Sequence, residues 1–196
     1  MVTIFYYDLM SPYAYLAAER IDRVLPRPPE WQPVLLGGIF KLTGRSSWAL
    51  GDHDRRGRGM AEIETRAEQQ GLPPLRWPDP WPSTSLAAMR MAVYARRAGR
   101  EREFAAAAFS TAFAEGKDLR ELHHVLDSAE AAGLDRDDAE EGIADPSVKD
   151  ELRRATGEAH ARGVFGVPTV AVGDELFWGD DRLEEAAAAL ARSGSA

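Results

Sequence analysis

The chain has 196 residues, 44% of them hydrophobic, which is enough for one sizeable core. A formal net charge of −8 excludes the basic face that nucleic acid binding needs, and no apolar run approaches the roughly 18 residues of a membrane span. Cysteine is absent, which excludes a disulfide, a CxxC redox pair, a thiolate nucleophile and a cysteine metal site, so any thiol chemistry needs a thiol brought in by a small molecule.

Val2–Tyr7 reads as a first strand. It carries no basic region and no cleavage site, so a cytoplasmic protein is expected. Ser11-Pro12 is a strong helix start, with serine at the cap and proline at the first helical position. Ala14, Ala17, Ile21 and Val24 then recur at helical spacing and predict an amphipathic helix over 13–25. Pro26, Pro28 and Pro29 end it, and Trp31–Leu36 reads as a second, buried strand. Strand, helix and strand make a βαβ unit, which favours a parallel pair. Gly37-Gly38 breaks the second strand, and Ile39–Leu42 looks like the start of a helical segment. The polar, glycine-rich stretch 43–59 reads as a surface loop, and Met60–Gln70 as a helix. Residues 73–82 hold five prolines with Trp77 and Trp81, which predicts an extended segment packed by its indoles.

From Ser83 to Gly163 the pattern is helical throughout, giving four or five helices. Asp118…Glu121 and Asp145-Pro146 mark starts, and Gly99, Gly116, Gly133 and Gly163 mark ends. Thr169–Val172 is a short β-branched strand, Gly173-Asp174 a turn and Glu175–Trp178 a second strand. Asp181, with Glu184 three residues on, reads as the capped start of a last helix over 182–191. Pro168 either begins its strand or makes a cis bend; a cis Val167–Pro168 bond would leave the Val167 backbone groups facing outward to accept an extended peptide. His53, His123, His124 and His160 show no metal-ligand spacing, so no metal site is expected. Trp77, Trp81 and Trp178 read as core.

Three stretches carry a resemblance. They are Asp8-Leu9-x-Ser11-Pro12-Tyr13-Ala14-Tyr15-Leu16-Ala17, Leu35-Leu36-Gly37-Gly38-Ile39-Phe40-Lys41, and the tail running from Phe165-Gly-Val-Pro-Thr through Gly173-Asp-Glu to Trp178-Gly-x-Asp181-Arg182-Leu183. Together they resemble the 2-hydroxychromene-2-carboxylate isomerases and the kappa-class glutathione transferases. The resemblance implies an α/β protein in which a thioredoxin-like βαβ–ββα domain, residues 1–38 and 163–196, is interrupted by an all-α insertion, residues 39–162. It implies that glutathione or another low-molecular-weight thiol binds as cofactor, with Ser11 hydrogen-bonding the sulfur. Val167 would pair its backbone with the cysteinyl unit beside cis-Pro168, and Asp180 and Asp181 would meet the γ-glutamyl end. Arg45 stands where the family usually has Asn, Ser46-Ser47 where Pro-Pro tends to follow, and Asp180 where Ser, Asn or Gln is commoner; a second carboxylate there repels a glutamyl carboxylate and welcomes an amine.

The activity implied is a thiol-dependent cis–trans isomerisation of a small aromatic 2-oxo or hydroxy acid, with a homodimer as the working form. Tyr13 offers a stacking surface for the ring, and Lys41 and Arg45 offer charge for the carboxylate. Each of these residues also has an ordinary structural reading: Ser11 as a cap, Tyr13 as packing, Arg45 as a solvated loop residue, Asp180 and Asp181 as caps. Two other functions stand beside the isomerase: a kappa-like transferase or peroxidase, and a cysteine-free thioredoxin-fold protein that binds extended peptide at Val167.

Overall fold

The computed structural model describes residues 2–193. Thr3–Tyr7 (β1) leads through a short loop into Pro12–Val24 (α1), and Glu30–Pro33 (β2) returns parallel to β1. Leu36–Thr43 (α2), a 3₁₀ turn at Trp48–Leu50 and His53–Gln69 (α3) follow. Beyond the proline-rich segment come Leu86–Arg97 (α4), Glu101–Phe109 (α5) continued by a π turn at Ser110–Ala114, Leu122–Ala131 (α6), Arg136–Ala144 (α7) and Pro146–Ala161 (α8). The chain closes with Thr169–Val172 (β3), Glu175–Trp178 (β4), a 3₁₀ turn at Asp180–Arg182 and Leu183–Ser193 (α9).

The four strands form one mixed sheet in the order β2-β1-β3-β4. β3 runs antiparallel to β1, with Thr3 opposite Val172 and Tyr6 opposite Thr169, and β4 runs antiparallel to β3. Side chains alternate across a strand, and here both faces are covered. Phe5, Tyr7, Trp31, Val170, Val172 and Phe177 enter the main core with residues of α1, α4, α5 and α9. Tyr6, Ala171 and Val164 enter a smaller cluster with Ile39 of α2 and Ala159 of α8. The main core is continuous from the sheet into the helical block. Its spine is aromatic: Phe109 lies 6.1 Å from Tyr7 and 6.0 Å from Tyr15, and Phe113 lies 5.5 Å from Tyr15 and 6.1 Å from Trp77. Each such fully buried ring is worth about 3–5 kcal/mol on truncation to alanine.

Four expectations need correction. The second strand stops at Pro33 rather than Leu36, and Gly37-Gly38 lie inside α2. The stretch 43–59 is not one loop: the Asp52 carboxylate accepts the Arg55 N–H at 2.8 Å and starts α3 at His53. Gly59, which reads as a loop signal, sits within that helix because Trp48 packs on it; a Cβ there would stand 2.2 Å from the indole. Asp118 is not a helix cap: it is buried and accepts from the Ser83 hydroxyl at 2.6 Å and the Arg120 N–H at 2.9 Å, while α6 begins at Leu122. Trp178 is 48% exposed on an edge strand and is not core. The proline-rich segment is extended and packed as expected, with Trp77 and Trp81 4.5 Å apart and the Arg76 N–H bonded to the Phe113 carbonyl at 2.8 Å. Among the described residues, no helix is long and apolar enough to cross a membrane.

Glu101, in the first turn of α5, is largely buried, and its Oε1 has no hydrogen-bond partner among the described residues. Burial pushes its pKa from 4.5 up to about 8, against the pull of Arg96 and Arg102 and with a further push from Glu30. An acid raised in this way contributes stability in full below its unfolded pKa, and that contribution is lost as pH rises through the folded pKa. The protein is therefore expected to lose stability between pH 4.5 and about 8, and Glu101→Gln to flatten that profile. Thermal melts at pH 5 and pH 9 check this: the variant should gain roughly 2–4 °C for each kcal/mol recovered at the higher pH, and little at the lower.

Candidate active site

Because β1 and β3 are antiparallel neighbours, the end of β1 and the beginning of β3 lie at the same edge of the sheet. The loop carrying Ser11 therefore faces the loop carrying Val167 and Pro168. The Val167–Pro168 bond is cis. Ser11 is 5% exposed; its Oγ accepts the Ala14 N–H at 3.2 Å and donates to the Val167 carbonyl at 3.4 Å. The cap reading thus holds for this hydroxyl, which also faces the cis-proline loop. Its donated bond is long for an O–H···O contact and is readily given to a better acceptor. The Val167 N–H donates to no group among the described residues. A sulfur placed here would meet the Ser11 hydroxyl and the positive end of α1, both of which favour a thiolate.

The second part of the site is charged. Asp180 is 2% exposed, whereas Asp181, expected to be the helix cap, projects outward from a 3₁₀ turn that precedes α9. Gly179 opens that turn at φ 121°, a left-handed value suited to glycine, and a Cβ there would come within 2.4 Å of the Asp181 carboxylate. Asp180 is held by Arg66 of α3, Nη1 to Oδ1 at 2.8 Å. The same guanidinium bonds Glu62 at 2.7 Å and lies 5.5 Å above the Tyr13 ring. Burial pushes the Asp180 pKa up, Arg66 pulls it down, and Asp181 pushes it up again. Burial works against the Arg66 charge, but Asp180, Glu62 and Asp181 together outweigh it and raise that pKa. The second carboxylate at position 180 is thus not a free negative charge. Beside this pair opens a cleft of about 400 Å³ whose walls include Arg23, Arg66, Gln69, Gln70, Asp180 and Asp181. Gln70 Oε1 is buried there without a hydrogen-bond partner among the described residues.

The expected substrate residues fall in different surroundings. Tyr13 is half-buried, edge-on to Trp48 at 6.2 Å and covered by Arg66; burial is the first cause of its raised pKa, with Glu62 adding to it. Arg45 stacks on Phe165 at 4.9 Å and on Trp178 at 5.9 Å, which fixes it against the cis-proline loop. Lys41 lies exposed in the last turn of α2 and makes no ion pair among the described residues. The structure therefore joins Ser11, Val167 and Pro168 in one place, and Tyr13 and Asp180 through Arg66. Sequence reasoning missed Arg66 and Phe165. Glu62 and Arg66 are spaced i,i+4 on a helix, which marks a local pair, but nothing local points to a partner 114 residues away.

The fold and this cysteine-free version of its characteristic corner define a thioredoxin-type protein. The chain belongs to the DSBA-like thioredoxin domain family, whose model matches residues 2–191. It is 30% identical over 191 residues to the 2-hydroxychromene-2-carboxylate isomerase of Sphingobium xenophagum, covering 92% of this chain and 93% of that one. It is 30% identical over 196 residues to glutathione S-transferase kappa 1 of Homo sapiens, covering 91% of this chain and 86% of the relative. A solved structure of a 2-hydroxychromene-2-carboxylate isomerase superposes with a TM-score of 0.84 at 24% identity, over 100% of this chain and 98% of that one.

Removing one partner of a largely buried ion pair leaves the other uncompensated. Arg66→Met is expected to destabilise the protein by about 1–3 kcal/mol, the cost of a stranded buried polar group moderated by partial solvent access at Arg66. Adding Asp180→Asn should restore most of that loss. Urea unfolding of the two single variants and the double variant measures the coupling.

Proposed function

We propose that this chain is a thiol-dependent cis–trans isomerase of an aromatic 2-oxo or hydroxy acid, similar in activity to 2-hydroxychromene-2-carboxylate isomerase. The observation that carries the reading is the Ser11 hydroxyl at the start of α1, facing Val167 beside cis-Pro168, in a protein with no cysteine to occupy that corner. The helix end and the hydrogen bond donated by the Ser11 hydroxyl lower the pKa of a bound thiol, which gives up its proton to water. Its sulfur adds to an alkene carbon conjugated to the substrate carbonyl; the S–C bond forms as the π pair moves onto the carbonyl oxygen. The resulting C–C single bond rotates. The enolate then reforms the alkene and expels the thiolate unchanged, so no net oxidation or reduction takes place.

The thiol that suits the site is glutathione. The Val167 backbone pairs with its cysteinyl unit. Asp181 and Asp180 receive the ammonium of its γ-glutamyl end, and Arg23 and Arg66 in the same cleft meet the carboxylate. Arg45, held on Phe165 and Trp178, and Lys41 take the acid group of the substrate, and the Tyr13–Trp48 pair supplies the aromatic wall. A cytoplasmic setting and a homodimer belong to the same proposal, and the homodimer rests on the resemblance alone. The similarity to kappa transferase keeps a transferase reading in view. Turnover of a benzylidenepyruvate-type substrate against conjugation of a haloaromatic separates the two.

Ser11→Ala is expected to lower kcat/KM for isomerisation about 10–100-fold, as for loss of one hydrogen bond to a charged centre, and to weaken glutathione retention. Wild-type affinity and rate in that variant would sink the assignment of Ser11.

A further inference from the structure

Asp8 is a buried acid beside the site with no part in the chemistry above. It is 2% exposed and pairs with no cation among the described residues. Its Oδ1 accepts the Met10 N–H at 3.0 Å, and its Oδ2 accepts the Leu36 N–H at 2.8 Å and the Ser85 hydroxyl at 3.1 Å. These donors belong to three helix starts. Met10 adjoins Ser11, the cap of α1. Leu36 is the first residue of α2, whose own cap position, Leu35, makes no side-chain cap. Ser85 is the cap residue of α4, yet its hydroxyl goes to Asp8 and not to its own helix. The Asp8 carbonyl also accepts the Ser11 N–H at 3.0 Å. One carboxylate thus sits against the starts of three helices, bonded to the first amide of α2, to the amide just before the α1 cap and to the cap hydroxyl of α4. Its ionisable neighbours are Tyr7 on β1 and, around that ring, Glu101 of α5 and Arg96 of α4; α1 and α2 present amides, and α4 a hydroxyl. Burial pushes the Asp8 pKa up, while the Met10, Leu36 and Ser85 bonds pull it down.

We propose that Asp8 is a positioning residue that also sets the acidity of a thiol held at the start of α1, because its charge competes with the thiolate for the same helix end. An unopposed helix end would drive the thiol pKa far below neutrality. A thiolate of very low pKa is plentiful but a weak nucleophile, and one with pKa near the working pH attacks best. Asp8 moderates the field that Ser11 and α1 create, and it locks the α1 and α2 starts into one geometry. This deepens the thiol reading of the site, but its test does not depend on that reading.

The chain has no cysteine, so Ser11→Cys installs a single thiol at this helix start. Its pKa is read from the pH dependence of thiolate ultraviolet absorbance and of iodoacetamide alkylation, with and without Asp8→Asn. Removing a negative charge held close by lowers the pKa of the introduced thiol by about one unit, a tenfold gain in thiolate at a pH well below it. A pKa that stays the same or rises when Asp8→Asn is added overturns the proposal, because loosened geometry alone weakens the helix-end field and cannot lower it. If Asp8→Asn melts too early to assay, Asp8→Ser keeps a neutral acceptor for the amides and is held to the same outcomes. Glutathione binding to the unaltered protein is measured alongside. Its absence would sink the thiol reading and leave the Asp8 comparison standing. An unshifted pKa with glutathione still bound would sink the role of Asp8 alone.

Discussion

Everything at the site follows from β1 and β3 lying side by side and antiparallel at the centre of the sheet. The pairing of Tyr6 with Thr169 sets two loops, more than 150 residues apart in the chain, mouth to mouth. Ser11 cannot reach the Val167 carbonyl unless this register holds. A one-residue slip would also turn Phe5 and Tyr7 out of the main core and Tyr6 out of the smaller one. The same hydrophobic alternation that buries the sheet on both faces therefore aims the hydroxyl.

The protein is acidic as a whole, yet peptide N–H groups, a hydroxyl and an arginine are gathered around its buried carboxylates. Two carboxylates are held in this way: Asp8 by the Met10 and Leu36 amides and the Ser85 hydroxyl, and Asp180 by the Arg66 guanidinium. Both are almost fully buried, so each is costly unless its partners stay in place. In each case burial pushes the carboxyl pKa up and the hydrogen bonds around it pull it down.

Much of the fold was legible because its signals are local. The Ser11-Pro12 start, the apolar spacing of α1 and the β-branched run of β3 each lie within a few residues, and the glycines at 99, 116, 133 and 163 all take positive φ where helices end. The N-terminal half of α3 was not legible, because Gly57 and Gly59 imitate loop composition and the reason for Gly59 is a tryptophan eleven positions earlier that packs against it. The site divided in the same way. Ser11, Val167 and Pro168 carried motif signals. Asp8 has one near partner in the Met10 N–H, but its other two lie 28 and 77 residues away and the Arg66 partner of Asp180 lies 114 residues away, so most of both polar clusters leaves no local trace. Trp178 looked like core because tryptophan usually is; its place on an edge strand, beside Gly166 and under Arg45, is a matter of topology.

The π turn at Ser110–Ala114 adds a wider loop of backbone to the end of α5. Phe109 and Phe113 end up on neighbouring parts of the core, one against the sheet and the other against Trp77, and the Phe113 carbonyl takes the Arg76 N–H. The long connection between α3 and α4 is thereby stapled to the helical block, and α3, which carries Arg66, is anchored at its far end by that staple. The footing of the Arg66–Asp180 pair therefore reaches into the interior of the helical block, and substitutions confined to that interior bear on where Arg66 stands although none of them touches either partner.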